Sequence, residues 1–325
     1  MPITKQQNHI AAREVSISPD HVGQRVDNFL INILKKVPRS HVYQLLRSGQ
    51  VRVNKGRKKP NYRLQVNDVV RIPPVRQVET GSITGEKLSR TLLGKLQQAV
   101  IYQDSDLLII NKPSGMAVHG GSGLSFGVIE GLRELMPNQR YLELVHRLDR
   151  ETSGCLMIAK KRSVLRVLHE HLRGDGIDKQ YVALMLGESK RGKKIVDQPL
   201  KKNILRSGER IVRIADDGKA SRTTFQVVEQ FTNSTFYAIK PHTGRTHQIR
   251  VHAEYLGQPI AGDPKYGDAS FNEDMKTLGL NRLFLHAKSL SFTLPGWNQP
   301  LTIESKMEEK LVKLLDRLRH DSIRQ

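Results

Sequence analysis

In ELVHRLDRETSGCLMIA, residues 143–159, a loop crowded with charge runs straight into a short apolar segment. The closing CLMIA is too short for a helix and reads as a buried strand. The block before it sets one acid, Asp149, between Arg147 and Arg150, then adds Glu, Thr, Ser and Gly. Runs of similar length lie on both sides: AVIYQD (99–104), LLIIN (107–111), YVALMLG (181–187), TFQVVE (224–229) and FYAIK (236–240). Helical periodicity is rarer. It is clearest in SVLRVLHEHL (163–172) and in THQIRVHAEYL (246–256), which stops at Gly257. Leu311, Leu314, Leu315 and Leu318 give an amphipathic C-terminal helix that closes a core. Runs of strands with few helices, without regular βαβα alternation, predict an α+β fold with a largely antiparallel sheet.

Upstream the pattern changes. Residues 20–75 hold twelve Lys and Arg against Asp20, Asp27 and Asp68, a local excess of nine positive charges. Val26, Phe29, Leu30, Ile33 and Leu34 recur at helical spacing and end before Pro38. A second short helix fits Ser40 as N-cap, Val42, Leu45 and Leu46 as its apolar face, and Gly49 as its stop. Val51 and Val53 then alternate about Arg52, and Val69–Ile72 reads as another strand. Solvated surfaces usually mix signs, and this one does not, so Arg39, Arg47, Arg52, Arg57, Lys58 and Lys59 predict a cationic face. The chain divides into a tail (1–14), this small module (15–75), a linker (76–97) with a helical turn near Leu92 and Leu93, and a larger domain (98–325).

The 325 residues carry 53 Lys+Arg against 32 Asp+Glu, a formal charge of +21, which calls for an anionic partner. No basic amphipathic helix with a bulky aromatic edge stands out, so nucleic acid is favoured over a membrane face. No apolar run approaches 18 residues, and MPITKQQNHIAAREV lacks the apolar core of a signal peptide. The single Cys155 excludes an internal disulfide and fits a reducing cytoplasm. HGGSGLSFG (119–127) has neither a Gly-Lys-Ser/Thr nor the G-x-G-x-x-G spacing, so it reads as a mobile loop beside a site rather than a phosphate loop. His169/His171 and His247/His252 lack the spacing that faces two ligands together, and no G-x-S-x-G elbow supports a serine hydrolase.

Three blocks remain, INKPSGMAVHGG (110–121), VHRLDRETSG (145–154) and KPHTGRTHQIRVH (240–252), with DKQYVALMLG (178–187) between the last two. Each mixes Gly with Arg, Lys or His, as backbone packed close to an anion or a base does. Arg245, His247 and Arg250 gather polar groups near a helix start. The bland alternatives are a surface ion-pair cluster around Asp149 and a buried ion-pair network around Arg250.

VHRLDRETSG, the Lys-x-Tyr-x-Ala of KQYVAL, and GRTHQIRVH followed by GQPIAGDPKYG closely resemble the RluA-type family of RNA pseudouridine synthases. RVDNFL…RSHVYQLLRSGQVRVN resembles the S4 RNA-binding domain, with Asn67-Asp68 where Gly-Asp is usual; Asn tolerates the left-handed backbone such a turn needs. The resemblance implies a small S4 domain before a catalytic domain of pseudouridine synthase type. It implies site-specific isomerisation of uridine to pseudouridine in large-subunit (23S) ribosomal RNA or its assembly intermediates, in the cytoplasm, by a monomer needing no cofactor or metal. Asp149 is then the nucleophile, attacking either C1′ or C6. Arg250 is its salt-bridge partner, offsetting the desolvation of the carboxylate. Tyr181 stacks on the base and takes the C5 proton. Arg147 holds the flipped strand, while Lys112, Arg245, His247 and the cationic face of the S4 module contact RNA. Two other readings stay open: an inert S4-bearing assembly protein, and an N-glycosidase using Glu151 as a second carboxylate.

Overall fold

The computed structural model describes residues 9–34, 37–76, 90–120, 126–189, 192–204 and 210–323. Most of the linker and the middle of HGGSGLSFG lie outside these residues. The chain splits into two units, Met1–Glu86 and Lys87–Gln325.

In the first unit the helices Val26–Ile33 and Arg39–Arg47 pack on a three-stranded antiparallel sheet of Arg13–Ser16, Val69–Ile72 and Arg52–Val53. Val26, Phe29, Leu30, Val42, Leu45 and Leu46 are all buried, as their spacing predicts. One boundary differs. Pro38, not Ser40, is the N-cap residue of the second helix, and its backbone is extended while Ser40 lies inside the first turn. Proline has no N–H to leave unpaired at that helix start, so the chain begins the helix there. Asn67 adopts φ 64°, as the turn requires. The strand Arg13–Ser16 begins inside the stretch expected to be a tail.

The second unit is built on a ten-stranded sheet. Its order runs Lys193–Asp197, Arg222–Gln230, Ser234–Pro241, Ile177–Leu186, Leu285–Phe292, Ser153–Ala159, Leu107–Lys112 and Val100–Gln103, with two short strands beside it. Every neighbouring pair is antiparallel except Ser153–Ala159 with Leu285–Phe292, where Ser153 faces His286 and Gly154 faces Ala287. That close parallel approach explains the glycine of the ETSG segment. Gly154 has φ 111°, and a Cβ there would stand 2.2 Å from the Ala287 carbonyl oxygen. Ser153–Ala159 is buried along its whole length, so it carries the preceding loop to the middle of the sheet. The helix Arg90–Gln98 occupies the end of the expected linker and buries Leu96. The helix Glu309–Ile323 buries Leu311, Leu314, Leu315 and Leu318 against Phe236, Phe271 and Phe284.

Candidate active site

The loop between Glu143–Leu144 and Ser153–Ala159 carries Asp149, and its carbonyl groups are pinned from several sides. The Lys112 ammonium donates to the Arg150 carbonyl at 3.0 Å, and the Gly115 amide reaches the same oxygen at 2.9 Å. The Ser114 hydroxyl donates to the Glu151 carbonyl at 2.7 Å, and Arg282 donates to Ser153 Oγ at 2.9 Å. A loop held this way presents the Asp149 carboxylate in a fixed place.

Opposite it stands KPHTGRTHQIRVH. Gln248, buried, accepts from Thr243 Oγ1 (2.6 Å) and the Arg245 amide (3.0 Å) and donates to the Arg222 carbonyl (3.0 Å), which fixes the turn. The helix Gln248–Tyr255 then starts at His247, whose φ of 52° is left-handed. Non-glycine residues seldom adopt that conformation, and they collect at functional sites. The turn aims two side chains at Asp149: Arg250 Nη1 lies 3.5 Å and His247 Nε2 3.9 Å from Asp149 Oδ2. Burial lowers the His247 imidazole below its ordinary value, and the charge of Asp149 partly counters it.

Arg250 has a tighter partner than Asp149. Its Nε and Nη2 donate to the two oxygens of Asp263, each at 2.7 Å, in a buried bidentate pair. Burial pushes the Asp263 carboxyl up. The hydrogen bonds and charge of Arg250, with the amides of Lys265 and Tyr266, outweigh it and hold the group below the usual range. Asp263 therefore fixes the guanidinium plane and leaves Nη1 for Asp149. The Tyr266 hydroxyl bonds His247 Nδ1 at 2.8 Å and so orients the second ring. Asp263 and Tyr266 sit in the AGDPKYG segment, whose glycine was a signal. Gly262 has φ 71°, and a Cβ there would stand 2.1 Å from the Arg282 carbonyl oxygen.

Tyr181 follows a register shift in the pairing of Ile177–Leu186 with Leu285–Phe292. Burial, and then the charge of Asp149, push its phenol well above the ordinary value. Asp149, Tyr181 and Arg250 line one cavity of about 550 Å³, within the range of small-molecule pockets. Asp149 is the one acid of that lining, among Arg147, Arg173, Lys179, Arg245 and Arg250.

The other expected site residues separate. Arg147 and Arg245 are exposed at the cavity, with His247 between the cavity and Tyr266. Lys112 is a correction. It is fully buried, its ammonium is satisfied by the carbonyls of Pro113, Met116 and Arg150, and no surface is left for a phosphate. Burial, with Arg282 acting the same way, lowers that ammonium to about 7. In the first unit Arg47 and Arg57 are exposed, Arg52 is half-buried against the Gly49 and Lys55 carbonyls, and Lys58 lies over the Tyr62 ring at 4.6 Å. Arg39 begins its helix, and its side chain lies outside the described residues. Asp27 and Asp68 of that unit turn inward, whereas Glu14 is exposed: Asp27 bonds Arg25 and Tyr43, and Asp68 bonds Asn54 and Tyr62. Among the described residues no cluster of three or more His, Cys, Asp or Glu is placed to hold a metal ion, and no helix is long and apolar enough to cross a membrane.

These features coincide with known families. The RNA pseudouridylate synthase model matches residues 106–255, which include Asp149, Tyr181 and Arg250, and the S4 domain model matches 24–70. The chain belongs to the RNA pseudouridylate synthase family, and it is an isomerase with an S4 domain in front. It is 53% identical to ribosomal large subunit pseudouridine synthase C of Pasteurella multocida over 310 residues, 95% of this chain and 94% of that one. It is 54% identical to the protein of that name from Escherichia coli K12, over 94% of this chain and 96% of the other. Among solved structures, human RNA pseudouridylate synthase domain containing 4 superposes with a TM-score of 0.58 at 28% identity, covering 70% of this chain and 96% of that one.

Proposed function

We propose that this chain converts uridine to pseudouridine at specific sites of 23S ribosomal RNA, in the cytoplasm, with Asp149 as nucleophile and without a cofactor. The observation that carries this reading is the lone carboxylate in a cavity lined by five cationic side chains. A phosphodiester strand is drawn to such a lining, and Asp149 is the one carboxylate in it that can attack an electrophilic carbon. The printed name shared by the relatives, ribosomal large subunit pseudouridine synthase C, supports the substrate.

The target uridine leaves its stack to enter the cavity, at a cost of a few kcal/mol. Asp149 bonds to ribose C1′ or uracil C6. The C1′–N1 bond breaks, the ring turns, and C5 bonds to C1′. C5 then loses its proton, N1 gains one, and Asp149 is released unchanged. Arg250 stabilises the carboxylate through Nη1. Tyr181 faces the base; because its phenol stays neutral, it receives the C5 proton only as it hands on its own. Arg147 and Arg245 hold the flanking strand, and Arg47 and Arg57 of the S4 domain add phosphate contacts that need no sequence reading.

Mapping pseudouridines in ribosomal RNA from cells lacking this protein tests the proposal. Specific positions of 23S RNA should revert to uridine, and the purified protein should restore them on unmodified transcript without releasing free uracil. An unchanged map, or free uracil in place of pseudouridine, overturns it.

A further inference from the structure

Beside the Asp149 cavity lies a second cleft, of about 340 Å³, between the antiparallel hairpin Leu200–Ile204/Arg210–Ile214 and residues 244–246. The two hollows share Gly244 and Arg245, so a strand leaving the cavity past Arg245 enters the cleft. We propose that the cleft is a subsite for the nucleotide adjoining the target uridine, with its phosphate held by Lys202 and Lys219 and its base against Leu200 and Val212. This rests on the uridine site proposed above.

The charges fit one phosphate group. Of the three lysines on the cleft, Lys201 is paired with Asp217. Lys202 and Lys219 are exposed and have no acidic partner among the described residues. The floor is different in kind. Leu200 and Val212 line the cleft from below, each 4% exposed and packed with Val251 and Tyr266. A cationic rim over an apolar floor suits a nucleotide, which brings both a phosphate and a flat base, better than a bare anion.

The cleft is also held in shape. Leu200 and Lys219 exchange two backbone hydrogen bonds at 2.9 Å, and a Cβ at Gly218 would stand 2.7 Å from the Leu200 backbone, so this side tolerates no side chain. The Val212 amide donates to the Tyr266 hydroxyl at 3.0 Å, the same hydroxyl that bonds His247. Arg245 Nε is tied to the Ala220 carbonyl at 3.1 Å. The wall of the cleft and the wall of the cavity are thus one hydrogen-bonded structure, which keeps the two positions in fixed relation.

The test uses the full chain and unmodified large-subunit ribosomal RNA transcribed in vitro. Lys202→Gln/Lys219→Gln is compared with Lys310→Gln/Lys313→Gln, which removes two exposed charges from the C-terminal helix. In the cleft variant the half-saturating RNA concentration should rise about tenfold, and the slope of log affinity against log salt should fall by about 0.7–0.9, the value for one phosphate contact. The single-turnover rate at saturating RNA should stay within about twofold, and Lys202→Arg/Lys219→Arg should recover most of the affinity. A salt slope no different from that of the control pair overturns the subsite. If the wild-type protein forms no pseudouridine on this RNA, the isomerase reading fails, and the binding slopes still decide whether the cleft holds RNA.

Discussion

In the S4 domain Arg47 and Arg57 lie exposed with no carboxylate partner among the described residues, while Asp27 and Asp68 are turned inward to other partners. Around Asp149 the arrangement is reversed. The side chains of Arg250 and Arg282 are only 6% and 8% exposed; Arg250 is fixed by the carboxylates of Asp263 and Asp149, and Arg282 by the Glu308 carboxylate and the Glu151 and Leu285 carbonyls. The same residue types thus serve two ends. Exposed cations are free to meet phosphate from any sequence, whereas buried ones shape a site and are costly to disturb. Removing a buried charge beside Asp149 should therefore cost stability or rate, and removing an exposed charge of the S4 domain affinity alone.

The largest effect is expected at Asp263. Asp263→Ala leaves Arg250 buried without its bidentate partner, which should cost about 3–5 kcal/mol in urea unfolding. A loss under about 1 kcal/mol would mean that the buried pair is not part of the architecture. Arg250→Met should follow, slowing single-turnover pseudouridine formation at saturating RNA by about 10²–10³-fold. Arg250→Lys should lose less, because a charge remains although the fork is gone. A Met variant limited only in RNA affinity would put Arg250 in the same class as the exposed arginines.

His146 gives a smaller, pH-dependent effect. Its Nε2 accepts the Met157 amide at 3.1 Å, and burial, aided by Lys179, drops its pKa from 6.5 to about 4. Between those values the unfolded chain binds a proton that the folded chain does not, so stability falls as pH drops through that window, by up to about 3 kcal/mol. His146→Gln keeps an acceptor and should flatten this slope in unfolding measured at pH 7 and near pH 4.5. An equal acid sensitivity in both proteins would assign it elsewhere. The smallest effect belongs to Arg47→Gln/Arg57→Gln, for which RNA affinity should fall by about tenfold and the salt slope by about 1.4–1.8, with stability and saturated rate unchanged.

Much of this was legible in the sequence. The HRLD block marked Asp149, the apolar runs gave the antiparallel sheet, and helical spacing gave the S4 core. Fixed partners were harder to see. Asp263 lies in a segment whose glycines were visible, yet nothing in spacing shows that its carboxylate grips Arg250 thirteen residues earlier. Lys112 read as a surface cation because charge is countable and burial is not; its three carbonyl partners come from loops brought together by the fold. The strands Lys193–Asp197 and Leu200–Ile204 were hidden because their lysines break the apolar alternation.

The central claim is that one carboxylate does the chemistry while the cations around it hold the RNA and the site. Asp149→Asn tests it most directly, with binding and single-turnover pseudouridine formation measured on the same unmodified 23S transcript. The account predicts affinity within about twofold of wild type and no measurable product, since removal of a covalent catalyst costs many tenfold steps in rate. Turnover above about one per cent of wild type would contradict it.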